Sequence, residues 1–457
     1  MKTPIEEFCR DYAQQNKTRL HIPGHKGKGP MGAEAMDLTE VKGADFLYEA
    51  EGIIAESEAN ASQLFGSRKT FYSAGGSSQS IKAMCLLACQ HWSRKNEGTP
   101  LLLAGRNAHK SFVQAAQLIG FDVEWMASEE DYSLCRCAIS PDGLEMQLER
   151  VMSEGRRVAA VFVTSPDYLG NVLDIRGLAE VAHRYGTLLL VDNAHGAYLK
   201  FLEEDRHPMT LGADACADSA HKTLPVLTGG GYLHIGAGAP KGFEDGARDA
   251  MCLFGSTSPS YLVLQSLDLT NDWLEKTAPA AFSKTVERVN AMKTILTHEG
   301  LVLAGEEPLK LTVDCVASRV GSGLTFADRL RDFDIECEYA DRDVVVLMFA
   351  PNNTDDDYQK LSIAVHMLMQ VQRHIPESNL ERPNFSGRLP ERVVGPRGVL
   401  LRPTETVPVS DAAGRIAADV HIGCPPAVLP VVPGERVDRN AIAVMEYYGI
   451  QSISVLK

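Results

Sequence analysis

Lys222 lies in Asp218-Ser219-Ala220-His221-Lys222-Thr223-Leu224-Pro225, thirty residues after Asp192 in Val191-Asp192-Asn193-Ala194-His195-Gly196. A lysine can form a Schiff base with an aldehyde. An acid can hold a pyridine nitrogen protonated, so that the ring accepts electrons. Ser219 and His221, beside the lysine, can bind phosphate. A surface lysine and a strand-end aspartate are each common. In this order, and with the motifs below, they point to a pyridoxal phosphate (PLP) site.

Two more segments suit a planar, anionic cofactor. Phe71-Tyr72-Ser73-Ala74-Gly75-Gly76-Ser77-Ser78-Gln79-Ser80 precedes an apolar helix. Small residues let backbone N–H groups approach a phosphate, hydroxyls add donors, and the helix start adds a favourable dipole. The same composition also makes an ordinary turn. Arg106-Asn107-Ala108-His109 follows an apolar strand. The His109 ring could stack on a cofactor, or could simply cap the next helix.

The elements that must position these groups lie between about residues 70 and 260. Leu101-Leu102-Leu103-Ala104, Val158-Ala159-Ala160-Val161-Phe162-Val163-Thr164 and Leu188-Leu189-Leu190-Val191 read as buried strands. Leu178, Val181, Ala182 and Tyr185 recur at helical spacing, with Gly186 as a C-cap. Continuous apolar strands alternating with helices imply a mostly parallel sheet covered on both faces. Ligands of such sheets bind outside the carboxyl ends of the strands. Asp192, His109 and Thr164-Ser165-Pro166 follow strand ends and are expected to converge there.

The flanks differ. Residues 1–60 read as an arm and a helix, the helix running from Ile53 to Phe65 and stopping at Gly66. The arm carries Leu20-His21-Ile22-Pro23-Gly24-His25-Lys26-Gly27-Lys28-Gly29, which lacks the Walker spacing. Residues 61–270 are the expected PLP-binding domain. Residues 271–457 turn to an α+β pattern. Strand-like runs at 309–315 and 344–349 flank a helix with Phe326, Ala327 and Leu330 on one face. A long helix follows at 357–374, and 376–398 reads as an exposed connection.

Composition narrows the class. The 457 residues are 44% hydrophobic and 23% charged, with net charge −15. That argues against nucleic acid as a partner and fits a soluble cytoplasmic protein. No apolar run reaches membrane-spanning length, and the polar, acidic start predicts no signal peptide. The ten cysteines are scattered, and no pair is joined by a second Cys/His pair at zinc-like distance. They read as free thiols in a reducing compartment, with no metal.

The whole set resembles the Orn/Lys/Arg decarboxylase family of PLP enzymes. The likeness runs from His21-Ile22-Pro23-Gly24-His25-Lys26-Gly27 to Pro425-Pro426-Ala427-Val428-Leu429-Pro430-Val431-Val432-Pro433-Gly434-Glu435. Between them stand Asp37-Leu38-Thr39-Glu40, Gly105-Arg106-Asn107-Ala108-His109-Lys110-Ser111, Thr164-Ser165-Pro166-Asp167-Tyr168-Leu169-Gly170 and Ser256-Thr257-Ser258-Pro259-Ser260-Tyr261. The resemblance implies fold type I, the aspartate aminotransferase-like α/β architecture, with a smaller α+β C-terminal part. It implies that Lys222 carries the Schiff base, Asp192 pairs with the pyridinium nitrogen, Ala194 packs on one ring face and His109 stacks on the other. Gly76, Ser77, Ser78, Ser219 and His221 would hold the phosphate. Thr257 would reach the phosphate of the partner subunit in a homodimer with shared active sites, and His195 would lie near the Schiff base or the substrate carboxylate.

The implied reaction is decarboxylation of a basic amino acid, arginine before lysine before ornithine, to a polyamine-pathway amine. The resemblance is to the short form of the family, for which the amino-terminal wing of longer relatives is not expected. It departs from the family at Asn193 (usually Glu), Tyr198 (usually His), Asp419 (usually Glu) and Cys424 (often aromatic). These positions lie near regions that recognise substrate in relatives. Another PLP reaction, such as transamination, elimination or aldol cleavage, stays open on the same fold, as does a silent PLP-binding paralogue. Asp167, Glu405 and Asp419 are candidate contacts for a distal cation.

Overall fold

The computed structural model describes residues 1–129, 133–371, 383, 389–420, 423 and 426–457. Seven strands, β1 (Lys69–Ser73), β2 (Leu101–Gly105), β3 (Asp122–Met126), β4 (Val158–Thr164), β5 (Leu188–Asp192), β6 (Ala215–Asp218) and β7 (Gly231–Ile235), form one sheet in the order β1-β7-β6-β5-β4-β2-β3. Strands β4, β5 and β6 are parallel, whereas β7 is antiparallel to both β6 and β1.

The helices in chain order are α1 (Pro4–Gln14), α2 (Ile53–Phe65), α3 (Gly76–Ser93), α4 (Lys110–Ile119), α5 (Pro141–Ser153), α6 (Ile175–Arg184), α7 (Pro208–Leu211), α8 (Ala220–Thr223), α9 (Ala247–Leu253), α10 (Tyr261–Lys276), α11 (Ala278–His298), α12 (Gly323–Arg331), α13 (Asp355–Val371), α14 (Pro396–Leu400) and α15 (Arg439–Tyr447). The chain divides into two compact units. One comprises Met1–Leu103, Leu144–Ser165 and Asp174–Ala280; the other comprises Ala104–Gly143, Pro166–Leu173 and Ala281–Lys457.

In the first unit the expected apolar runs are strands. All five residues of β5 are buried, and so are the five central residues of β4. Fully burying a leucine or valine contributes about 1.5–3 kcal/mol, so this strand pair is a large part of the core. Helix α3 packs on β5, β6 and β7. Helix α2 ends as its sequence predicts, with Gly66 left-handed at φ 67°. Helix α6 buries Leu178, Val181 and Ala182. The arm begins as α1, which is held by buried Asp268 of α10. That carboxylate accepts from the Ile5 and Glu6 N–H groups at 2.8 and 3.0 Å and from Ser57 Oγ at 2.5 Å.

The second unit has two further antiparallel sheets. Strands β8 (Val302–Ala304), β9 (Lys310–Asp314), β10 (Tyr339–Ala340) and β11 (Val344–Met348) pair in the order β10-β11-β9-β8. The residues expected as strands at 309–315 and 344–349 are β9 and β11, and Phe326, Ala327 and Leu330 of α12 are buried in their core. Strands β12 (Thr404–Pro408), β13 (Ala417–Val420) and β14 (Ser452–Leu456) pair as β12-β14-β13 beside a core that includes Ala441 and Met445 of α15. The long helix expected at 357–374 is α13; its last expected residues lie outside the described ones, as do 376–382 and 384–388 of the expected connection and the departure at Cys424. Pro396, placed in that connection, starts α14. The described cysteines are free, and seven of the nine are buried. No helix among the described residues is long and apolar enough to cross a membrane.

Candidate active site

Asp192 is the last residue of β5 and not, as its sequence position suggests, the first beyond it. Its carboxyl is buried and accepts the Ala194 N–H at 3.2 Å. Burial raises it to about 6, against the pull of Lys222 and of that N–H group; Asp218 adds to the rise. Lys222 lies in α8, directly after β6 and Ser219, and its Nζ is 2.9 Å from His195 Nε2. The tight turn after β5, closed by Gly196 N–H to Asn193 O at 2.8 Å, places His195 there. The ends of two neighbouring parallel strands thus supply an acid, a lysine and an imidazole.

The Gly/Ser-rich segment is in the same unit. Gly76 opens the eighteen-residue α3 at φ 64°, and Gly75 at its N-cap provides no side-chain cap. The positive end of a long helix favours an anion nearby. Ser77 Oγ accepts from Ser219 Oγ at 2.7 Å, which joins the two hydroxyls expected to bind phosphate. His221 Nδ1 is 2.9 Å from Gly230 O, and a Cβ on Gly76 would lie 3.6 Å from His221 Cε1. The segment Gly229-Gly230-Gly231, which carries no recognised motif, braces this cradle: Gly229 O accepts the Gly76 N–H at 2.7 Å. Gly231 has room for no side chain, because a Cβ there would lie 2.7 Å from Asp218 O and 3.3 Å from Ser77 N.

Behind the strand ends is a network with no local sequence signal. Asp218 accepts from His207 Nε2 at 2.9 Å, from Asn193 Nδ2 at 2.7 Å and from Cys216 Sγ at 3.7 Å. His234 Nε2 lies 3.3 Å from the same carboxylate, within ion-pair reach but off hydrogen-bond geometry. All five side chains are fully buried. Burial pushes the Asp218 carboxyl up, but His207 and His234 outweigh it and hold it well below the usual carboxylate range. One potential ligand atom from each of His207, Cys216, Asp218 and His234 lies within 4.8 Å of the others, as in a metal site. The Met209 N–H, however, donates to His207 Nδ1 at 3.3 Å. That fixes the ring proton on Nε2, facing Asp218, so a hydrogen-bonded network accounts for the cluster.

Other predicted residues are placed as follows. Ala194 is buried beside Asp192. Ser78 is in the first turn of α3. Thr257 is exposed in the lead-in to α10, which Ser260 caps. Tyr198 is buried in the 3-10 turn after His195. His109 belongs to the second unit and caps α4, its Nδ1 accepting the Ser111 N–H at 3.1 Å. The three candidate acids, also in that unit, are engaged by the chain itself. Asp167 accepts the Leu169 and Asn171 N–H groups, both at 2.9 Å, Asp419 pairs with Lys110 at 2.9 Å, and Glu405 pairs with Arg415 at 2.6 Å. Two recognised motifs meet where Arg106 donates to both oxygens of buried Glu435 at 3.1 and 2.8 Å. Gly434, at φ 95°, has the Val394 carbonyl where a Cβ would stand.

The donor set fits PLP. Its phosphate, ring nitrogen and aldehyde find a helix start with hydroxyls, a buried carboxyl and a lysine in one compact unit. Such a site on a mostly parallel α/β sheet defines a fold type I PLP enzyme. Two family models match, the Orn/Lys/Arg decarboxylase major domain over residues 3–315 and the C-terminal domain of the same family over 392–453. The chain belongs to the Orn/Lys/Arg decarboxylase family and is a PLP-dependent amino-acid decarboxylase.

An arginine decarboxylase of Bacillus subtilis is 28% identical over 97% of this chain and 92% of its own. The lysine decarboxylase LdcA of Pseudomonas aeruginosa is 24% identical over 60% of this chain and 40% of its own. Among solved structures, the lysine decarboxylase LdcF of Francisella novicida has a TM-score of 0.80 at 15% identity, covering 100% of this chain and 81% of that one. Oryza sativa TDC with PLP has 0.57 at 12% identity, covering 71% and 75%.

Proposed function

We propose that this chain decarboxylates a basic amino acid, arginine first, at a centre built on Lys222 and Asp192. The observation that carries the reading is the buried Asp192 and the Lys222–His195 contact of 2.9 Å at adjoining strand ends, in the same unit as the Ser77–Ser219 cradle. When bound, PLP supplies the electron sink that makes loss of CO2 from an amino acid feasible. Lys222 would hold the cofactor covalently through Nζ. Asp192, as a buried carboxylate, would pair with the ring nitrogen and keep it protonated. His195, against Lys222 Nζ, is placed to take or return a proton there. Gly76, Ser77, Ser78, Ser219 and His221 would hold the phosphate, and Ala194 would pack on one ring face.

The reading includes a cytoplasmic homodimer in which Thr257 reaches the partner's phosphate. Support comes from the exposure of Thr257 and of the apolar side chains Leu20, Ile22, Met31 and Leu253 of the same unit, which a second copy could cover. Arginine is favoured by the near full-length likeness to a Bacillus subtilis arginine decarboxylase. A buried counter-charge would separate a cationic tail from an apolar one by roughly 2–4 kcal/mol, or about 30- to 1000-fold. The test is CO2 and amine release from arginine, lysine, ornithine and norleucine. Amine from arginine above the others is expected. No amine from any basic amino acid overturns the reading, and equal turnover of norleucine and lysine overturns the charged tail.

A further inference from the structure

Among the described residues, Asp218 heads a buried titratable cluster that the reaction above does not use. Strands β5 and β6 are in register with Asp192 opposite Ala217, and the Asn193 N–H continues the ladder to Ala217 O at 3.0 Å. Side chains alternate between the faces of a sheet. Asp192 and Ala217 therefore share one face, whereas Asn193, Cys216 and Asp218 share the other. His234, opposite Cys216 on β7, is on that second face too. The Asn193–Asp218 bond of 2.7 Å ties the residue after Asp192 to the residue four before Lys222.

An ionised carboxylate at such depth is strongly destabilised unless charged or polar donors meet it. His207, Asn193 and Cys216 supply them, and the anion is fixed in place by groups from three separate segments. It stands behind the face on which Asp192 lies, on the neighbouring strand, where little water screens it. We propose that Asp218 is a positioning residue for the cofactor centre, a buried anion that locks the ends of β5 and β6 together and whose charge helps retain the proton on the cofactor's ring nitrogen. The proposal rests on the reading that Lys222 and Asp192 hold PLP.

The groups that set these charges are few. Asp218 faces His207, His234, Cys216 and Tyr232, with Lys200 acting on His234. Asp192 faces Lys222, with Asp218 and the thiols of Cys85 on α3 and Cys216 near it. Burial holds both thiols well above their ordinary value, so they stay neutral. Asp218 is thus an anion acting on Asp192, and like charge favours the protonated form of the shared site.

The test reconstitutes the protein with 15N-labelled PLP and follows ring-nitrogen protonation by NMR against pH, with borohydride fixation on residue 222 measured in parallel. Asp218→Asn removes the charge and keeps the shape; it is expected to release the proton about one pH unit lower than wild type. The exchange variant Asn193→Asp/Asp218→Asn returns one carboxylate and one amide to the same contact and is expected to recover most of that shift. A wild-type titration in Asp218→Asn, or no recovery in the exchange, overturns the proposal. If Asp218→Asn does not fold, Asn193→Ala keeps the anion and cuts the tie. It is expected to hold the wild-type titration and slow fixation on Lys222 about tenfold, and an unchanged rate overturns the proposal. Wild-type cofactor fixed anywhere other than Lys222 overturns the underlying reading instead.

Discussion

Replacing Gly231 with alanine tests whether the braced loop is the phosphate cradle. Gly231 starts β7 opposite Ser73 of β1. A methyl group there would lie 2.7 Å from Asp218 O, 3.1 Å from the Gly76 carbonyl carbon and 3.3 Å from Ser77 N. All three are backbone atoms, so no side chain can swing away; the cradle or the end of β6 must move. Overpacking of this kind costs about 1–3 kcal/mol. Taken from the cofactor-bound form, that is a loss of about 5- to 150-fold in PLP affinity, at tenfold per 1.4 kcal/mol. The assay is titration of the cofactor-free protein with PLP, followed by cofactor absorbance, with thermal unfolding of each variant measured beside it. Gly238→Ala is the control, because a methyl group there would meet nothing within 4 Å beyond its neighbours in the chain. Equal PLP affinity in the two variants would refute the placement of the phosphate at Gly76 and Ser77.

Three further outcomes follow from the same geometry. In the cofactor-free protein burial raises Asp192 to about 6, above the roughly 3.9 of an unfolded chain, so the folded state binds the extra proton between those values. Its contribution is fully present below pH about 4 and is lost as pH rises through about 6, a change of about 3 kcal/mol. Urea unfolding of wild type minus Asp192→Asn across pH 4–7 should show that slope, and a pH-independent difference would contradict it. With PLP bound, Asp192→Asn should lower kcat by about two orders of magnitude or more, and a near-native kcat would remove Asp192 from the centre. Glu435→Gln leaves the half-buried Arg106 without its bidentate partner and should cost about 3 kcal/mol in denaturant unfolding; a cost under about 1 kcal/mol would show that the two motifs are not held by this pair.

The sequence carried what is local. Apolar runs without alternation marked β4 and β5, a glycine after a periodic stretch marked the end of α2, and Asp192 and Lys222 stood out by their neighbours. The direction of β7 was not legible. Its pairing with Lys69–Ser73 is long-range, and nothing within Gly231–Ile235 sets which way the strand runs. The Asp218 network was missed for the same reason. Asn193, His207 and His234 are separated in sequence and meet only because two strands and the start of α7 bring them to one carboxylate. The available signal was a polar residue inside an otherwise apolar strand, as His234 is in β7. The partners of the candidate acids were not legible either. Asp167, Glu405 and Asp419 have hydrogen-bond or ion-pair partners within the chain, which no exposed-looking carboxylate declares in sequence.

The central claim is that Lys222 holds the cofactor, and its most direct test is borohydride reduction of the purified protein followed by peptide mapping. Reduction should abolish the visible absorbance band and leave the cofactor fixed on the peptide that contains Lys222. Lys222→Ala should show neither the band nor a fixed label. A reducible band that persists in Lys222→Ala, or a label on another lysine, would contradict the account.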